Sequence, residues 1–188
     1  MIKRKSDIQE STHPETTFVL LVELFQLADF QTKRAILNHP NVLPTNEDGT
    51  LNASLLAELA QEFPEEVARH PLFVLHALVE PDEEMEGVVR EVVQRTADVG
   101  LIEQVLRSWG PDSWGVRRSV AKNPTTPLNV LRTLGNEVTE SDWYVRKAVT
   151  SNPNTPPDVL RTMGNPKTES NWEVRDAAQK ALEARGLP

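Results

Sequence analysis

Several residues in this chain have types and spacings that could do chemistry. Arg117, Arg146 and Arg175 recur every 29 residues, and a row of guanidinium groups could read carboxylates or phosphates through two parallel N–H bonds each. Trp114, Trp143 and Trp172 recur in the same register; an exposed row of rings would stack on peptides or bases, and a buried one would cover a packing seam. His39 and His70 both precede a proline and could begin a metal site, but no third ligand falls in step, so a turn role is expected. The stretch "PTNEDGTLNAS" from Pro44 to Ser54 resembles a calcium loop. Aligning Gly49 with the turn glycine leaves Pro44 and Leu55 where ligands belong, so it reads as a loop leading into a capped helix. With no cysteine there is no thiol nucleophile, disulfide or thiolate-bound cluster. No glycine-rich phosphate cradle and no Ser-His-Asp arrangement can be assembled. No catalytic residue, metal or cofactor is expected.

The elements that position these residues are repeated. "SWGVRRSVAKNPTTPLNVLRTLGN" returns as "DWYVRKAVTSNPNTPPDVLRTMGN". Asn123-Pro124 pairs with Asn152-Pro153, Pro127 with Pro156, Leu131 with Leu160 and Gly135 with Gly164. Weaker copies lie upstream: "VVREVVQRTADVGLIEQVLRSWG" from Val88 aligns when two residues are inserted, and "KRAILNHP" and "EEVARHP" resemble "RKAVTSNP". The anchors Lys33, Pro64, Arg90, Arg117, Arg146 and Arg175 mark about six units. Residues 111–188 carry clear repeats and residues 18–110 degenerate ones, which gives one helical-repeat domain over 18–188 behind a flexible tail of residues 1–17.

Each unit reads as two short helices. In "NTPPDVLRTMGN", Thr155 is the expected N-cap, Pro156 fits the first turn, Asp158 completes a capping box and Gly164 is the stop. In "ESNWEVRDAAQKALEARG", Ser170 and Glu173 form a second expected box and Gly186 ends the helix. The equivalent helix of the middle unit is predicted from about Asp142 to Ser151, because Pro153 disfavours continuation. Helices this short are unstable alone in water, so the stacking of neighbouring units must hold them. Asn123 and Asn152 are expected to bond turn backbone.

The pattern "W.VR..V..NP.TP..VL..LG" resembles the variant leucine-rich repeats, bacterial relatives of the HEAT-type helical solenoids. The resemblance implies an all-α fold, a right-handed α-solenoid of two-helix units. That family's best-known arrangement adds a cysteine-liganded iron–sulfur module, which a chain without cysteine does not share. HEAT repeats are also similar through an acidic residue six positions before the arginine, as in Glu140 with Arg146 and Glu169 with Arg175. The resemblance implies that the arginine column bonds Glu or Asp of the adjacent unit. The tryptophans are expected in the core or the seam, so that Trp143→Ala costs about 3–5 kcal/mol and Arg146→Ala less.

Charge divides the chain. Residues 1–106 carry 8 basic and 19 acidic side chains, residues 107–188 carry 12 and 9, and the whole is −8. The acidic connector "EPDEEMEG" from Glu80 to Gly87 reads as a solvated linker. An enzyme on the inner face of such a solenoid, as in HEAT-like alkylpurine DNA glycosylases, would need a positive field that this balance opposes. The expected function is a non-enzymatic scaffold that binds another protein through its concave face. Burial of Val145, Ala148 and Val149 would turn Tyr144, Lys147 and Ser151 outward. With the flanking units this gives a stripe of Arg118, Lys122, Lys147 and Lys180 around Tyr144, suited to an acidic peptide or helix. The alternative is nucleic acid held by the more basic C-terminal half.

The run "FVLLVELFQLADF" from Phe18 to Phe30 holds Glu23 and Asp29 and is too short to span a bilayer, and no secretory leader precedes it. The expected location is the cytoplasm. Because residues 18–30 are apolar on most sides, a homodimer through that helix is expected.

Overall fold

The computed structural model describes residues 30–38, 53–79, 81, 83–109 and 113–187. The expected tail 1–17, the apolar run 18–29 expected to pair two copies, His39 and residues 44–52 of the acidic-glycine loop lie outside them. All regular secondary structure among the described residues is helical. The chain divides into two compact units, Met1–Val88 and Val89–Pro188.

In the first unit the helices are α1 (Phe30–Leu37), α2 (Ala53–Glu62), α3 (Pro64–Arg69) and α4 (Pro71–Val74), followed by a π turn at Leu75–Val79 and a 3-10 turn at Glu83–Met85. Leu56, Leu59, Phe63, Val67 and Phe73 form its core. Proline opens α3 and α4, where its missing N–H would have had no helical partner. His70 is buried just after α3, and its backbone N–H bonds the Val67 carbonyl at 3.0 Å. This is the turn role expected for it.

The second unit contains most of α5 (Glu86–Arg95), then α6 (Val99–Trp109), α7 (Trp114–Lys122), α8 (Leu128–Leu134), α9 (Trp143–Ser151), α10 (Pro157–Gly164) and α11 (Trp172–Ala184). Helix α9 packs against α7 on one side and α11 on the other, and α10 packs against α11. The sequence sets the start of each long-faced helix through a column of caps at 29-residue spacing. Ser113 accepts from the Val116 N–H, Asp142 from Tyr144 and Val145, and Asn171 from Glu173 and Val174, which satisfies donors the helix cannot. Three residues on, Val116, Val145 and Val174 are buried, and Val120, Val149 and Ala178 repeat the burial one turn later. Pro124 or Pro153 then stops the chain.

Two expected caps are corrected. Thr155 does not cap α10: its hydroxyl donates back to the Val149 carbonyl, Pro156 is the residue before the helix and Asp158 pairs with Arg132. Thr126 makes the same bond to Val120. The Val120 and Val149 carbonyls at these helix ends accept only one N–H each, from Asn123 and Asn152, and their second lone pair lies within reach of the hydroxyl. Ser170 lies one residue too early to cap α11, and its hydroxyl bonds Glu137 instead. Gly186 does close α11, in the left-handed region at φ 65°, where a side chain would be strained.

The repeats are joined by their asparagines. Asn123 is fully buried, and its side-chain amide donates to the carbonyls of Val93 (2.7 Å) and Thr96 (2.8 Å) in the preceding repeat. Its own side-chain oxygen accepts from the Thr125 N–H at 2.7 Å. Asn152, equally buried, donates to Ala121 (2.8 Å) and to the Asn123 carbonyl (2.7 Å). Beyond it, Arg185 donates to the carbonyls of Asn152 (2.8 Å) and Thr155 (2.6 Å). Thr96 holds the equivalent place upstream, with its hydroxyl accepting from Asp98 N–H. Asn152→Ala would leave the Ala121 carbonyl without its donor and the Asn123 carbonyl with only the Thr126 N–H, a loss of about 1–3 kcal/mol for the unsatisfied group. The urea midpoint should fall accordingly, while Asn154→Ala at the exposed neighbour changes it far less.

The two C-terminal glycines differ. A Cβ on Gly135 would lie 3.0 Å from the Leu131 carbonyl and from Val159, and 3.2 Å from Met163, whereas on Gly164 its nearest neighbour is Gln179 at 3.6 Å. Gly135→Ala should therefore destabilise. Gly164→Ala, inside α10, should be neutral or stabilise by up to about 1 kcal/mol. Thermal unfolding of the two variants checks the opposite signs.

Candidate binding surface

Consecutive residues on the second helix of each repeat point about 100° apart, and this separates structural charge from available charge. Arg117 points inward and grips Glu140 with Nε at 2.6 Å and Nη2 at 3.0 Å. Arg146 repeats the grip on Glu169 at 2.6 and 2.8 Å, and its third nitrogen bonds the carbonyls of Glu140 and Ser141. Arg175 keeps those carbonyl bonds, to Glu169 and Ser170. Glu140 and Glu169 each also accept an N–H from the cap two residues later, Asp142 and Asn171. The acidic residue six before each arginine thus offers that arginine only its carbonyl; its carboxylate goes to the previous repeat. The Glu169 carboxylate holds the Arg146 guanidinium above its ordinary value.

The tryptophans require a correction. Trp114 and Trp172 are 47% and 67% exposed, and Trp143 is half-buried. None of the three lies in the core, because each is the first residue after the cap, where the helix points outward, and the valines two positions on take the buried direction. The Trp143 ring stacks on Tyr144 at 3.7 Å, and Trp114 reaches across from α7 to Tyr144 at 5.9 Å. The Lys147 ammonium lies 5.6 Å from the Trp143 ring centroid. Loss of Trp143 should therefore cost less than the expected 3–5 kcal/mol of a core aromatic.

The predicted stripe is only partly basic. Lys147 is bonded to Glu173 at 2.6 Å, and Lys180 to Asp176 at 2.7 Å on its own helix. Their charge is offset. Arg118 and Lys122 differ: among the described residues no carboxylate pairs with either. Partial burial and the neighbouring guanidinium groups of Arg118 and Arg90 hold the Lys122 ammonium below its ordinary value. The sequence marks Arg90, on α5, only as a repeat anchor. Its place beside Lys122 depends on how α5 packs near α7, which no spacing along the chain reveals. The face of α7 and α9 thus combines exposed Trp114 and Tyr144 and half-buried Trp143 with Arg118 and Lys122, Arg90 adds its charge from α5, and Glu173 and Asp176 border the face on α11.

Neither family models, curated proteins nor solved structures give a match to this chain. Among the described residues no three His, Cys, Asp or Glu side chains cluster to hold a metal, and no helix is long and apolar enough to cross a membrane.

The grips on Glu140 and Glu169 predict a graded series. The Arg146 side chain is 3% exposed and that of Arg117 15%, and removing one partner of a buried pair costs about 3–5 kcal/mol. Denaturant midpoints should fall most for Arg146→Ala, less for Arg117→Ala and least for Arg175→Ala. Trp143→Ala should cost less than Arg146→Ala, the reverse of the order expected from sequence.

Proposed function

We propose that this chain is a non-enzymatic, cytoplasmic helical-repeat scaffold of the variant leucine-rich or HEAT type. In this reading its repeats form a right-handed α-solenoid, and the outward positions of α7 and α9 line a concave face that binds a partner protein. One observation carries the reading: exposed Trp114 shares α7 with Arg118 and Lys122, which no carboxylate among the described residues pairs, whereas Arg117 and Arg146 are consumed by packing. A surface kept apolar and charged at once costs solubility and self-repulsion, and binding is what offsets both.

Nucleic acid is the second reading, and Arg90, Arg118 and Lys122 are what favour it. Against it stand Glu173 and Asp176 on the same face and the net charge of −8, since phosphate binding needs a continuing positive field.

The double variant Arg118→Glu, Lys122→Glu alters surface groups, so its unfolding free energy should stay within about 0.5 kcal/mol of the parent. Partner retained from extract by the parent should be lost by the variant. Equal retention at equal stability would remove this face from the function.

A further inference from the structure

Resting on that reading, the arrangement on α7 goes further and describes the occupant. Trp114, Arg118 and Lys122 follow one another at four-residue steps. In a helix each step advances about 6 Å along the axis and turns only about 40°, so the three side chains form one short row. Side chains on one face of an extended strand repeat every two residues, at about 6.6–6.8 Å. The two periods nearly coincide over this length. A helix laid on α7 would meet the row only at its contact ridge, whereas an extended segment can follow it with every second side chain.

The chemistry along the row is fixed by what is already paired. At one end the rings of Trp114 and Tyr144, 5.9 Å apart and each about half exposed, offer an apolar platform. Along the rest, Arg118 and Lys122 have no carboxylate partner among the described residues, and Arg90 adds its charge beside Lys122. Sideways, the positive character stops at α9, where Glu173 takes Lys147. The footprint therefore holds two or so anionic groups and one large apolar group, then turns acidic. We propose that this face captures an extended acidic segment of a partner protein, seating one large apolar side chain on the Trp114–Tyr144 pair and carboxylates two and four residues away on Arg118 and Lys122. A polynucleotide fits less well, because its charge continues past the footprint into Glu173 and Asp176. A peptide can change sign or end there.

Selection of a displayed random-peptide library on the immobilised full chain tests this. The expected consensus is a large apolar residue with Asp or Glu two and four residues away. A synthetic peptide of that consensus, followed by fluorescence anisotropy, should lose about ten-fold or more in affinity, equivalent to about 1.4 kcal/mol, when its acids become Gln. It should lose as much on the Arg118→Glu, Lys122→Glu protein and on Tyr144→Ala. The Gln series uses the unaltered protein, so it stands even if a variant fails to fold. Enriched peptides without paired acids would overturn the acidic-segment proposal and leave the scaffold reading in place. No enrichment at all would count against both. A short thymidine oligonucleotide that displaces the peptide, with affinity falling steeply between about 50 and about 200 mM salt, would replace the peptide with nucleic acid.

Discussion

A buried side-chain amide must satisfy two donors and an acceptor or it destabilises the fold. In this protein that requirement dictates how repeats join. Asn123 and Asn152 each direct their two N–H groups at carbonyls of the repeat before, and turn their oxygen to an N–H two residues ahead. Because the Asn123 carbonyl is itself an acceptor for Asn152, the rows are chained: the position of one repeat sets that of the next. Burial of the valines stabilises the stack, but hydrophobic contact is non-directional. The amide rows are what hold the register, and Arg185 completes the last of them.

The same logic governs the charges. Arg117 and Arg146 sit where a neighbour's glutamate can meet both edges of the guanidinium, and the remaining nitrogen of Arg146 is taken by backbone carbonyls, so a buried cation is fully paired. One residue later the helix has turned about 100°, and Arg118 and Lys147 point away from that grip. Lys147 finds Glu173 there; Arg118 has no carboxylate partner among the described residues, and it and Arg90 both act on Lys122. Adjacent cations in one motif therefore have separate physical roles, decided by helix phase and by the sign of the nearest charge on the next repeat.

The aromatic surface follows from capping. Ser113, Asp142 and Asn171 must bend away from helical geometry so that their oxygens reach backbone N–H groups. The residue after each is thereby thrown outward, and in all three repeats it is tryptophan. The large rings lie at the rim of the helix layer instead of within it, where Tyr144 can stack on Trp143 and approach Trp114.

Read alone, the sequence determined the helical class, the 29-residue period, the helix from about 142 to 151, the proline stops and the stop at Gly186, because these depend on local spacing and backbone chemistry; Gly164, expected as a stop, is instead the last residue inside α10. It also marked the asparagines as backbone partners and the arginines as columns. It misplaced Thr155 and Ser170 as caps, since several short polar side chains in one turn compete for the same N–H and carbonyl groups and only the packed geometry ranks them. Which cations are free was likewise beyond it. Glu173 neutralises Lys147 from a position 26 residues away, and Arg90 reaches the field of Lys122 from another helix, so tertiary packing alone decided where positive charge remains on the surface. The tryptophans were legible as a column but not as surface, because their direction is set by the phase of the helix relative to its cap, and a ring's size gives no information on that phase.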